Sequence, residues 1–200
     1  MNQHVFSSYL ELGWHHIISA SAIDHISFIV TLCALFTFTE WRKIVTLVTA
    51  FTIGHSVTLA LTSLNYLPVS AKWVEILIPI TIIITAIRNI LQKQSTQDHL
   101  TFDKRMIVYY LTALFFGFIH GMGFANSFKI MSGAETSILT QLFAFNCGIE
   151  LGQLLIVVGV LTILFLMTKY ISVKPREWNL FVSGTGFGIG SMVLMNVICG

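Results

Sequence analysis

The stretch Trp14-His15-His16-Ile17-Ile18-Ser19-Ala20-Ser21-Ala22-Ile23-Asp24-His25 decides the fold. It opens an apolar run that continues to Phe38. Three histidines and an aspartate therefore sit inside a segment that otherwise reads as membrane-spanning. An ionisable side chain at membrane depth costs of order 2.5–3.5 kcal/mol on insertion scales, and such groups usually mark a functional site inside a helix bundle. The structural alternative places His15 and His16 at the headgroups and lets Asp24 bond a neighbouring helix. The functional reading needs matching polar groups on other helices, and the rest of the chain supplies them.

Of 200 residues, 55% are hydrophobic and only 10% charged, with a mean hydropathy of +0.81. Soluble domains carry about 25% charged residues, so the chain reads as an all-α integral membrane protein, a single polytopic domain over residues 1–200. Cys33, Cys147 and Cys199 lie in apolar surroundings and read as small buried hydrophobes rather than a disulfide framework. Met1 to Glu11 carries no Lys or Arg and no small-residue cleavage pattern, and does not read as a secretory signal.

A spanning helix needs about 20 mostly apolar residues. Six segments qualify, at about 14–38, 44–64, 74–91, 106–128, 138–168 and 178–199. Charge placement orients them. The first, third and fifth connections, with their helix ends, hold Arg42, Lys43, Arg88, Lys93, Lys104, Arg105, Lys169, Lys174 and Arg176. The second and fourth hold only Lys72 and Lys129. The positive-inside rule then puts both termini outside a bacterial-type inner membrane. His99 falls in the cytoplasmic third connection and reads as a solvated loop residue.

The later spans carry the matching groups. In the second, Thr52, His55 and Ser56 share one face. The third begins Val74-Glu75 and contains Pro79, which frees the Glu75 carbonyl from its helical partner and sets it beside a carboxylate at the outer mouth. Thr81, Thr85 and Asn89 read as helix-packing hydrogen bonds. The fourth holds His120 between Gly117 and Gly121, a small-residue pair that permits close helix contact. The fifth carries Asn146, Glu150 and Gln153 as one polar stripe, with Gly148 and Gly152 as a second pair. The sixth is rich in glycine and reads as packing.

The halves also echo each other. Ala50-Phe51-Thr52-Ile53-Gly54 parallels Ala144-Phe145-Asn146-Cys147-Gly148, and Gly13-Trp14-His15-His16 parallels Gly117-Phe118-Ile119-His120. Helices three apart in the chain run oppositely, so the pattern predicts two inverted three-helix repeats, as in many secondary transporters.

Imidazole nitrogen with carboxylate oxygen suits first-row divalent metals such as nickel, cobalt, zinc and iron. The expected metal ligands are His16, Asp24, His25, His55, Glu75, His120 and Glu150, with Thr52, Ser56, Asn146 and Gln153 orienting them or lining the path. On a regular helix His16 and Asp24 lie about 12 Å apart and Asp24 and His25 point about 100° apart, so one ion would not hold all three. A ladder is expected instead, with Glu75, His16 and His120 outward and Asp24, His25, His55 and Glu150 deeper.

Tyr9-Leu10, Gly13-Trp14-His15-His16-Ile17, Asp24-His25-Ile26-Ser27-Phe28, Thr49 to Leu59, Val74-Glu75, Phe116 to Ala125 and Phe145 to Gln153 together resemble the HupE/UreJ family of membrane proteins, associated with nickel and cobalt uptake for hydrogenase and urease. The family's Asp-His pair falls on Asp24-His25. Ile17 stands where the common form has proline after histidine, and Ala22 stands where it has glycine. The resemblance implies a metal permease and not an enzyme, with the metal ion and the lipid bilayer as partners, no nucleic acid, and room for a homo-oligomer. Two other readings use the same groups. An intramembrane metallohydrolase would need fixed ligands plus a metal-bound water, although no His-Glu-x-x-His stands in the sequence. A membrane scaffold would hold a structural metal.

Overall fold

The computed structural model describes residues 2–92, 104–131 and 137–199. Lys93 and His99 lie outside the described residues, as do the side chains of Lys104 and Arg105. Seven α-helices and no strand are present among the described residues: α1 (Asn2–Ile18), α2 (Ile23–Cys33), α3 (Trp41–Ser63), α4 (Ala71–Leu91), α5 (Lys104–Met131), α6 (Ile138–Ile171) and α7 (Pro175–Cys199). A 3-10 turn, Phe38–Glu40, leads into α3. The five helices from α3 onward are each long and apolar enough to cross a membrane.

The first expected span is corrected. It is not one helix over 14–38 but two, beginning at Asn2 and bent by 68° between Ile18 and Ile23. The break falls on Ser19-Ala20-Ser21-Ala22. The two serine hydroxyls bond each other at 2.8 Å, and the Ala22 amide closes a turn onto the Ser19 carbonyl. Short polar side chains that bond locally compete with the helical ladder, and no large apolar residue here anchors a helical turn. Non-helical backbone at membrane depth is tolerated where it lines a cavity, as it does here.

The bent pair and the turn that follows it run along α6. Phe6 packs on Phe143 near the start of α6, and Phe38 packs on Phe165 near its end. A re-entrant loop would return to the level where it began. Counted as one broken span, the pair brings the candidate spans among the described residues to six.

Glycines set the helix pairs. A side chain on Gly13 would collide with the Phe145 carbonyl and one on Gly148 with the Leu10 carbonyl, which seats α1 on α6. Gly54 abuts the Leu114 carbonyl, Gly117 the Phe51 carbonyl and Gly121 the His55 carbonyl, which clamps α3 to α5. Residues without a Cβ let backbones approach closely, the usual device for joining helices in lipid. The third pair, α4 with α7, is tied by polar contacts. Asn179 donates to the Asn89 carbonyl at 2.8 Å, and Asn89 donates to the Thr31 carbonyl at 2.7 Å, which brings in α2. Asn89 thus makes the helix-packing bond expected of it, whereas Thr85 donates to the Thr81 carbonyl within α4. Of the cysteines, Cys33 is buried and Cys147 half-buried, but Cys199 is exposed at the end of α7.

Gly117→Val forces a side chain into the α3 backbone and should cost about 1–3 kcal/mol or more, the range for overpacking. Gly184→Ala, where nothing lies within 4 Å, should leave stability unchanged. Unfolding in detergent, followed by circular dichroism, separates the two.

Candidate metal centre

The break in the first span assembles the centre. It ends α1 just after His16 and restarts α2 with Asp24 and His25 in its first turn. The two rings meet, with His16 and His25 centroids 4.7 Å apart. The α3–α5 clamp sets His55 and His120 beside them: His25 lies 6.0 Å from His55 and 5.0 Å from His120, and His16 lies 5.9 Å from His55. His55 and His120 are fully buried and His25 is 4% exposed. Two overlapping triads result. His16, His25 and His55 form one, and Asp24, His25 and His120 the other, with one ligand atom of each residue within 4.8 Å of the others. His16 and Asp24 do not share a triad; His25 belongs to both.

The hydrogen bonds prepare nitrogens for a cation. Asp24 Oδ1 lies 3.1 Å from His25 Nδ1. A carboxylate only accepts, so Nδ1 carries the hydrogen and Nε2 keeps its lone pair. Thr81 Oγ1 gives its one proton to the Ile78 carbonyl at 2.7 Å and sits 3.0 Å from His120 Nε2. With that proton committed, Nε2 of His120 is the donor, and the lone pair is on Nδ1. The nitrogens thus freed, His25 Nε2 and His120 Nδ1, are buried without a partner, as are His16 Nε2 and both nitrogens of His55. Buried polar atoms are normally satisfied, and each exception needs an account. Four neutral imidazoles in one place, each with one lone pair to offer, match a site for a cation, and holding a ligand histidine by its other ring nitrogen is the usual outer support of a metal site.

Aromatic rings close the cluster on two sides. Phe28 and Phe51 stack at 4.9 Å against His120, and Phe124 and Phe145 stack at 5.1 Å against His16. A vestibule of about 290 Å³ opens beside the cluster at the break, lined by His15, His16, Ser19, Asp24, His25 and Phe124 among others.

Two expected ligands stand apart from this cluster. Glu75 is exposed and lines a separate small cavity with Thr62 and Asn126. Glu150 accepts from Thr49 Oγ1 at 2.6 Å, and Gln153 accepts from Thr52 Oγ1 at 2.7 Å, forming a polar layer between α3 and α6. Thr52 and Thr49 lie three and six residues before His55, about 4.5 and 9 Å along the axis. Asn146 donates to the Leu142 carbonyl and Ser56 to the Thr52 carbonyl, both within their own helices. Sequence reasoning gave Thr81 a packing role alone. Its place two residues after Pro79, with Thr85 repeating it, gave no sign of a histidine opposite.

The sequence model of the family described as HupE / UreJ protein matches residues 1–199. The chain belongs to the HupE/UreJ family. No curated protein and no solved structure matches it. The match spans every helix of this HupE/UreJ protein, so the broken first span and the histidine cluster lie within the family's own extent.

Thr81→Val removes the acceptor that holds His120 in this tautomer and should weaken cation binding about 10–100-fold, the usual cost of losing an outer-shell partner. Thr81→Ser should restore it. Titration calorimetry with nickel reads both.

Proposed function

We propose that this membrane protein is a permease for a divalent transition-metal cation, nickel or cobalt in preference to zinc or iron, and that His16, Asp24, His25, His55 and His120 form its central binding site. The convergence of four imidazole rings, each with an unpartnered buried nitrogen, with one carboxylate carries the reading. Nitrogen-rich sites favour nickel, cobalt and zinc over magnesium. Family membership supports a membrane metal transport or accessory role. Glu75 on one side, and Glu150 with Thr52, Asn146 and Gln153 on the other, are stations on the route, and Ser56 supports the Thr52 turn.

The halves are inverted repeats on this reading. The contact of Gly13 with Phe145 is matched by that of Gly117 with Phe51, and the contact of Gly148 with Leu10 by that of Gly54 with Leu114. Each partner in these contacts is offset from its counterpart by the same register that aligns the sequence echoes. His16 and His120 become counterparts, and the Thr52 hydroxyl and the Asn146 amide each lie within hydrogen-bond reach of the carbonyl four residues back, Thr52 sharing its one proton with Gln153. Inverted repeats place a site between two bodies that rock against each other. Both termini face outward across a bacterial-type inner membrane, as the distribution of lysine and arginine requires.

Bound metal in the purified protein, measured by mass spectrometry, and uptake into proteoliposomes test the permease directly. His25→Ala and His55→Ala should abolish both while the protein still folds. Parent-like binding in either variant would move the site elsewhere. Protons compete for imidazole and carboxylate, so affinity should fall as pH is lowered from about 8 to 5, across the unperturbed histidine value of about 6.5. In a background without native cysteines, Tyr66→Cys should react with an impermeant thiol reagent from outside and Ser172→Cys should not; the reverse would invert the topology.

A further inference from the structure

One face of α1 is polar along its length. His4, Ser8, Glu11 and His15 recur every three or four residues, and all four are exposed. A face turned to acyl chains would be apolar, so this one meets water or headgroups. Helix lengths agree. α6 has 34 residues, about 51 Å at 1.5 Å per residue, well beyond the ~30 Å hydrocarbon core. Lys169 marks its inner end. The core takes about 20 residues of an upright helix and more of a tilted one, so counting back from Lys169 the first turns of α6 lie beyond its outer edge. The part of α6 beyond that edge is where Phe6 of α1 packs on Phe143.

The polar face ends in the vestibule. His15 and Ser19 line it together with His16, Asp24 and His25. Glu11 Oε1 lies 3.7 Å from His15 Nε2, both side chains being well exposed. His25, 4% exposed with Nε2 unpartnered, looks onto the same space. Glu11 and His15 belong to neither triad.

We infer that Glu11 and His15 form a capture site at the lip of the vestibule, which takes a divalent transition-metal cation from the outer aqueous side and passes it to the histidine cluster. The inference rests on the permease reading of that cluster. One carboxylate and one imidazole leave most of the ion's water shell in place, so the ion is held weakly and exchanges fast. The cluster beyond offers more nitrogens and takes it on. A capture site changes how quickly the cluster fills, not how tightly it holds.

The test uses the full protein in proteoliposomes, with nickel as the probe. Glu11→Gln/His15→Ala should slow stopped-flow association roughly tenfold, at the low end of what electrostatic focusing supplies, and raise the KM for uptake. Stoichiometry and equilibrium Kd should match the parent. Association at the parent rate would overturn the capture site while leaving the permease standing. Loss of a bound equivalent would overturn it too, by making His15 a ligand of the cluster. If the parent binds no nickel, the permease reading falls and the capture site with it. Ser21→Cys, in a background without native cysteines, gives a readout independent of the double variant. An impermeant thiol reagent should reach it from outside, more slowly when nickel is bound; reaction only from inside would overturn the outward-facing vestibule.

Discussion

The 68° break between α1 and α2 is the constraint on which the centre depends. On an unbroken helix His16 and Asp24 would stand about 12 Å apart on one rod, and His25 could face only one of them. The break turns the start of α2 toward the end of α1, so that His25 meets His16 on one side and His120 on the other. The backbone freed by the break borders the vestibule, where its polar groups have water or side chains to meet. Four buried or half-buried imidazoles then share a single carboxylate, Asp24. Glu150 stays out of the cluster, bonded to Thr49.

The close helix contacts matter for the same reason. His55 and His120 come from different helices, and backbone contact at Gly54, Gly117 and Gly121 brings the His55 turn within reach of the His120 turn. Leucines at those positions would hold the axes farther apart, and the nitrogens with them. The site's chemistry is thus specified partly by residues with no side chain at all.

Much of this was legible in the sequence because its causes are local or periodic. The apolar runs gave the spans, since a helix in lipid needs a fixed length of apolar residues. The isolated His, Asp and Glu residues gave the candidate ligands, since their cost at depth makes them rare. The glycine pairs gave the crossings. What escaped was three-dimensional. Ser19 to Ala22 reads as an acceptable piece of helix until its serines are seen bonding each other. Glu150 looked like the costliest member of a ligand set, but its distance from His55 depends on how α3 and α6 face. Thr81 resembled its packing neighbours Thr85 and Asn89, because nothing in the order of residues places His120 across from it.

The candidate ligands are divided among three packed groups. His16 travels with α1, which is seated on α6. His55 and His120 travel with the clamped α3–α5 pair. Asp24 and His25 travel with α2, which the Asn179–Asn89–Thr31 chain fastens to α4 and α7. No group holds a full triad by itself. A small slide of one group against another therefore changes how many nitrogens an ion can reach, and with that its residence time. In the proposed permease, coordination number and bundle shape become a single mechanical variable, so the movement that opens a way out is also the movement that loosens the grip.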